Sequence, residues 1–184
     1  MDLDKEKEII KKAKQDPEFF GLLYDEYYKA IFGYILRRTA DVDLTQDLTS
    51  QTFFKALKNL WKFQWQNVPF SAWLYRIAIN EINSFYRKKN RLIRVDFDKI
   101  PEIPSINTSD EEIKTAEKEL EDKKEFIKIR KSISRLNPLY QTVISLRFFE
   151  NKKISEISQI LKKSEGTIKS QIHRALEDLK ELVE

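Results

Sequence analysis

The chain contains no cysteine and one histidine, His173. Disulfides, thiolate metal sites and cysteine nucleophiles are therefore excluded, and histidines cannot form a metal cluster or a catalytic pair. Glycine and proline are also scarce, with 3 and 5 copies among 184 residues. Because sheets need many tight turns and turns use glycine and proline, this scarcity favours helices.

Long apolar runs are missing as well, and no stretch approaches the length of a membrane span. The charged residues at the start do not form the apolar core of a signal peptide. Hydrophobic residues still make up 41% of the chain, which is enough for a buried core. These features predict a soluble, reduced, cytoplasmic helical protein with no membrane insertion.

The net charge of +4 is unevenly distributed along the chain. Residues 1–94 carry 17 Lys and Arg against 12 Asp and Glu, residues 95–125 carry 5 against 11, and residues 126–184 carry 12 against 7. Residues 95–109 contain two prolines and show no helical period, as expected of a linker. We predict an all-α fold of two small helical domains, 1–94 and 126–184, joined by a flexible acidic linker over 95–125. Two basic domains around an acidic connector suggest two contacts with a polyanion.

The first domain is predicted to contain three helices. A cap at Asp16, with Pro17 as the first helical residue, begins an amphipathic stripe that continues to about residue 38. The second helix follows a cap at Asp41 or Asp43. The third runs from about residue 70 to residue 91.

This third helix carries a polar stripe opposite its apolar face. The stripe consists of Arg76, Asn80, Asn83 and Arg87, at steps of four, three and four. Just before the helix lies an aromatic loop, residues 63–70. Rings stack on unpaired bases while amides and cations bind their edges and phosphates, so this combination suits single-stranded nucleic acid. We expect Trp65, between two glutamines, to be exposed, and Trp61 and Phe70 to lie in the core.

Residues 156–170 have the form of a helix-turn-helix. The small Ser158 lies where the two helices would cross, and Ser164 caps the second helix. Removing the inward-facing apolar residues of that helix leaves short polar and cationic side chains near its start: Thr167, Lys169, Ser170, His173 and Arg174. Such a set suits a helix that lies in the major groove of duplex DNA.

Both domains resemble bacterial sigma factors. The run GTIKSQIHRAL at 166–176 is similar to G-T-V-K-S-R-L-x-R-A-R of sigma region 4, and residues 136–147 resemble the stretch before it. In the first domain, WLYRIAIN at 73–80 and DLTSQTFFKAL at 47–57 resemble region 2 of the extracytoplasmic-function (ECF) sigma factors. The resemblance covers roughly residues 16–94 and 126–183, in family order and spacing.

The resemblance implies an initiation factor that has no catalytic centre, metal or cofactor. It would bind core RNA polymerase at two places, the clamp helices of the largest subunit and the flap. It would also recognise two elements of promoter DNA. The implied contacts with the opened minus-ten element are Trp65, Arg76, Asn80, Asn83 and Arg87. Those with the duplex minus-thirty-five element are Thr167, Lys169, Ser170, His173 and Arg174. Asp47, Gln51 and Lys55 match the polymerase-binding helix, and an anti-sigma factor that covers the polymerase-binding faces is the implied regulator.

Three positions depart from the family pattern. Ser50 and Gln51 replace its usual Gln-Glu pair, which removes a carboxylate from the polymerase-binding surface. Lys162 replaces a turn glycine, and a left-handed conformation there costs about 1 kcal/mol. Gln171 replaces an arginine, so a phosphate contact is expected to be missing.

Two other functions are consistent with the residues alone. A helix-turn-helix regulator with an N-terminal dimerisation or sensor domain would bind duplex DNA without polymerase, but it leaves the polar stripe around Asn80 without a role. A carboxylate-based nuclease would need a metal at Asp41, Asp43 and Asp47, of which only the last two share a helix face. If the chain is a sigma factor, we expect the free protein to bind DNA poorly, because each domain has little net charge and the linker is acidic.

Overall fold

The structure is a computed structural model, and it describes residues 1–65, 68–93 and 132–183. The predicted linker at 95–125 lies outside these residues. The described ranges contain helices and no strand, as the scarcity of glycine and proline predicts. The main α-helices are α1 Leu3–Ala13, α2 Phe20–Thr39, α3 Val42–Lys58, α4 Phe70–Ile93, α5 Pro138–Ile144, α6 Ile154–Leu161 and α7 Glu165–Val183.

Helices α1 to α4 form the first domain around an aromatic core. The Phe20 ring makes edge-on contacts with Phe53 and Phe70, with 6.5 Å between ring centroids in each pair. The predicted caps are confirmed at both positions: Asp16 accepts the Glu18 N–H at 3.0 Å, and Asp41, not Asp43, accepts the Leu44 N–H. These side chains satisfy N–H groups that a helix start leaves free.

Helix α1 is not among the helices predicted from the sequence. Its sequence consists mostly of Lys and Glu, which obscures a short apolar stripe of Ile9, Ile10 and Ala13, each less than 9% exposed. The same face carries Glu6, which is 1% exposed. A buried carboxylate needs hydrogen-bond donors, and its partners are described below.

The expectations for the aromatic residues near α4 are met only in part. Phe70 is fully buried, as predicted. The prediction for Trp61 is wrong, because its side chain is 70% exposed. The chain leaves α3 through a 3₁₀ turn, Leu60–Lys62, which buries Leu60 and directs Trp61 outward. Trp65 is half-buried and packs edge-on against Phe63, with 6.5 Å between their centroids, so it is less exposed than predicted.

Helices α5 to α7 form the second domain, in which α6 and α7 make the helix-turn-helix. Ile157, Ile160 and Ile168 are essentially inaccessible to solvent between these helices. The turn contains Lys162 at φ 53° and ψ 46°, which confirms the left-handed conformation predicted there. Ser158 Oγ donates to the Lys163 carbonyl at 2.5 Å, so the small residue at the crossing also ties the turn to α6.

Candidate nucleic-acid interface

The polar stripe of α4 divides into two parts in the structure. Asn80, Asn83 and Arg87 are exposed, as predicted. Arg76 is half-buried: its Nε donates to the Ile160 carbonyl at 2.9 Å, and its terminal nitrogen donates to the Gln159 carbonyl at 2.6 Å. Both carbonyls belong to α6, so Arg76 contacts the second domain here. A contact between Arg76 and DNA would require these two hydrogen bonds to break.

Arg76 is one member of a polar cluster between the two domains, and burial lowers the pKa of its guanidinium. Glu150, directly after the π-helical turn Ser145–Phe149 that extends α5, has a side chain that is 7% exposed. Its carboxylate accepts hydrogen bonds from the Arg37 guanidinium and from the Tyr75 hydroxyl, the latter at 2.9 Å. We call Arg37, Tyr75, Arg76 and Glu150 the domain latch.

The latch holds the domains together and occupies Arg76, but it leaves the rest of both predicted DNA-binding faces exposed. Burial, and then the Glu150 charge, raise the pKa of Tyr75, so its hydroxyl stays a donor to that carboxylate. Arg38 adds a bond to Thr142 Oγ1 at 2.9 Å. Asn80 and Lys169 nevertheless both remain exposed.

The outward face of α7 carries the side chains predicted for duplex contact. Thr167, Lys169, Ser170, His173 and Arg174 are all exposed. Ser164 accepts the Thr167 N–H at 3.2 Å, as predicted for the cap. Gln171, where the family has arginine, is half-buried, and its Oε1 has no hydrogen-bond partner among the described residues.

The third predicted site is on α3, where Asp47, Gln51 and Lys55 are exposed. Lys55 Nζ is 2.6 Å from Glu81 Oε2 of α4, so this lysine already has a partner within the domain. Asp47 and Gln51 are four residues apart, and both lie on the side of α3 that faces solvent.

Two exposed aromatic residues, one on α3 and one in the turn after it, are not among the contacts predicted from the sequence. Phe54 is 64% exposed and Trp61 70% exposed. The spacing 47, 51, 54 could have indicated Phe54, because steps of four and three return to one helix face. Trp61 lies beyond the end of α3, in the 3₁₀ turn Leu60–Lys62, so helical spacing does not indicate it. We call Asp47, Gln51 and Phe54 of α3, together with Trp61 of the turn that follows, the α3 outer face. Exposed aromatic residues beside polar ones are typical of a protein-binding surface.

No group of three or more His, Asp or Glu side chains among the described residues could hold a metal ion. The carboxylate of Asp41 caps α3, which accounts for one member of the acidic set considered for a nuclease. Within the same residues, every helix is too short or too polar to cross a bilayer.

A helical bundle with an exposed amide and cation stripe, packed against a helix-turn-helix with a polar outer face, is the arrangement expected of a two-domain nucleic-acid-binding protein. Residues 23–92 match the family described as Sigma-70 region 2, and residues 126–179 match Sigma-70, region 4. The chain belongs to the ECF sigma factors, a family of transcription initiation factors, and the resemblance noted in the sequence is confirmed.

Individual relatives support this assignment. RNA polymerase sigma factor SigZ of Bacillus subtilis is 30% identical, over 88% of this chain and 85% of SigZ. ECF RNA polymerase sigma factor BldN of Streptomyces coelicolor is 28% identical over 96% of this chain, which spans 65% of the length of BldN. The fold is similar to that of the sigma factor RpoE in complex with the anti-sigma factor NepR from Bartonella quintana. That match has a TM-score of 0.67 and 22% identity, over 89% of this chain and 96% of RpoE.

Proposed function

We propose that this chain is an alternative sigma factor that binds core RNA polymerase and directs promoter-specific transcription initiation in the cytoplasm. It would do so without a catalytic centre or cofactor of its own. The observation that carries the proposal is the presence of two separate exposed faces in one chain, the stripe around Asn80 on α4 and the polar face of α7.

The first face suits the minus-ten element in its opened form. Asn80, Asn83 and Arg87 offer amides and a cation to base edges and phosphates, and the aromatic loop with Trp65 lies just before the same helix. Arg76 would join them once the latch has opened. Opening a base pair costs a few kcal/mol, so several such contacts must act together.

The second face suits the minus-thirty-five element as duplex, through the five α7 side chains named above. Lys169→Ala should weaken recruitment to the promoter and lower the slope of log affinity against log salt by about 1, since one phosphate contact is lost. The measurement is promoter affinity of the polymerase complex across a salt series. Lys29→Ala, at an exposed lysine of α2, is the matched control and should keep the wild-type slope. An unchanged slope for Lys169→Ala would remove this residue from the duplex contacts.

The α3 outer face suits the clamp helices of the polymerase. Phe54→Ser should lower the affinity for core polymerase by about tenfold or more, as is usual for a buried aromatic anchor of an interface. Competition binding with labelled wild type measures this affinity. Leu22→Ser removes a similarly exposed apolar side chain, 51% exposed on α2, and should bind core like wild type. Equal affinity of the two variants would place the polymerase contact elsewhere.

An anti-sigma factor is the regulator we propose, by analogy with the complex that contains NepR. The α3 outer face would be covered in such a complex, because its exposed aromatic residues favour burial by a partner.

The proposed function is tested by run-off transcription from a promoter library with and without core polymerase. A sigma factor gives promoter-dependent transcripts only when core enzyme is present. A helix-turn-helix regulator would instead bind duplex DNA on its own and would not direct core polymerase to promoters. That result would replace our proposal with the alternative.

A further inference from the structure

Helix α1 holds both ends of the aromatic loop between α3 and α4. Near the end of α1, Lys14 Nζ donates to the Phe63 carbonyl at 2.5 Å. Near its start, both oxygens of the Glu6 carboxylate lie 3.1 Å from the Phe70 backbone nitrogen, whose N–H they accept. Because Phe63 and Phe70 are the first and last residues of the loop, contacts from one helix determine where it starts and ends.

The contact at Glu6 is both buried and electrostatically favourable. Phe70 begins α4, and its N–H is one of those that a helix start leaves without a partner. A negative charge at that end also interacts well with the helix dipole. The Tyr27 hydroxyl donates to the same carboxylate, and burial followed by this bond raises the pKa of Tyr27, which stays protonated.

The aromatic rings of the loop pack against one another and against α4, so its two ends are in contact. Phe63 lies 5.3 Å from Phe70 and 5.1 Å from Trp73, between ring centroids, and Trp65 packs on Phe63. Trp65 and Phe63 also line an open cavity of about 380 Å³ with α1 residues, Lys14 among them. A shift of either end of the loop would therefore move Trp65 relative to α4.

We infer that Glu6 and Lys14 are positioning residues for minus-ten recognition: α1 sets where the aromatic loop lies against the stripe of α4. Neither side chain needs to touch DNA for this role. The inference rests on the proposed function and adds to it an element that lies outside the Sigma-70 region 2 match, which begins at residue 23.

Five variants test the inference. Lys14→Met and Glu6→Gln remove one charged contact at each end of the loop. Lys5→Met on α1 and Glu18→Gln in the 3₁₀ turn Pro17–Phe19 after it make the same changes at exposed positions and are the matched controls. Lys14 is exposed, so its substitution leaves the core intact. Lys14→Met therefore tests the inference even if Glu6→Gln unfolds the domain. Lys14→Arg retains a cationic donor and should restore the wild-type behaviour.

Each variant is assayed with core polymerase on a duplex promoter, on the same promoter pre-opened at the minus-ten element, and on a library randomised there. Lys14→Met and Glu6→Gln should lower transcription from the duplex by about tenfold or more, the usual effect of losing a bond to a charged group. They should also change the ranking of preferred minus-ten bases. Affinity for core polymerase should remain as in the controls, and Lys14→Arg should restore the ranking.

The inference is overturned if Lys14→Met keeps the wild-type ranking of minus-ten bases and the wild-type transcription rate. In that case the proposed function still holds, provided that the wild type gives core-dependent transcripts. It is also overturned if the variants lose core affinity and transcription equally, because α1 would then only support the fold. If the wild type itself gives no core-dependent transcripts, the proposed function fails and the role of α1 fails with it.

Discussion

Asn80→Ala should impair promoter opening much more than binding of the closed promoter. Asn80 is exposed on α4, nearly three turns from the aromatic loop, and its amide can bind the edge of an unpaired base. A bidentate contact between an amide and a base edge is worth about 1–3 kcal/mol, which predicts roughly a tenfold to hundredfold loss of open complex. In the proposed function, duplex binding relies on α7 and phosphates, so the closed complex should be nearly unaffected.

Opening is measured by the reactivity of unpaired thymines in the minus-ten element, and closed binding by gel shift at low temperature. Gln15→Ala removes an exposed amide from the same domain and is the control. A pre-opened promoter should rescue Asn80→Ala only in part, because the base contact itself is missing. Equal losses in opening and closed binding would assign Asn80 to general DNA affinity, not to the opened strand.

Glu150→Ala should separate the two domains of the free protein. The substitution leaves Arg37 and Tyr75 without their shared acceptor, and breaking a buried pair in this way is strongly destabilising. Because Arg37 is 36% exposed, water offsets part of the loss, and we expect about 1–3 kcal/mol. That shifts the ratio of closed to separated molecules by roughly tenfold to hundredfold.

Distances between two spin labels measure the separation. The chain has no cysteine, so Asp25→Cys and Glu181→Cys, both at exposed positions, give one labelled pair without background. Glu165→Ala removes an equal charge from an exposed site of the second domain and should keep the short distance. Separation should also raise the affinity of the free protein for minus-ten single strand, since Arg76 is released. An unchanged distance distribution would show that the latch does not hold the domains.

The positions of most helices and their caps could be predicted from the sequence, because these depend on neighbouring residues. The spacing of apolar residues predicted α2, α3 and α4. The capping side chains of Asp16, Asp41 and Ser164 each accept a backbone N–H no more than three residues away. The left-handed turn at Lys162 is likewise a local feature. The exposure of Asn80 and of the α7 side chains followed from the same periodicity, since one face of an amphipathic helix must remain in solvent.

The tertiary structure alone decided which side chains meet across the fold. Arg37 and Glu150 are 113 residues apart, Arg76 and Ile160 are 84 apart, and Glu6 and Phe70 are 64 apart. No periodic pattern links such positions, because their contact depends on which helix faces pack together and at what angle. For the same reason Arg76 is predicted to face DNA but lies at the domain boundary, and Trp61 is expected in the core but is exposed. Local sequence therefore determined the two helical domains and their polar faces. Packing between residues far apart in the sequence determined the domain latch and the contacts of α1 with the aromatic loop.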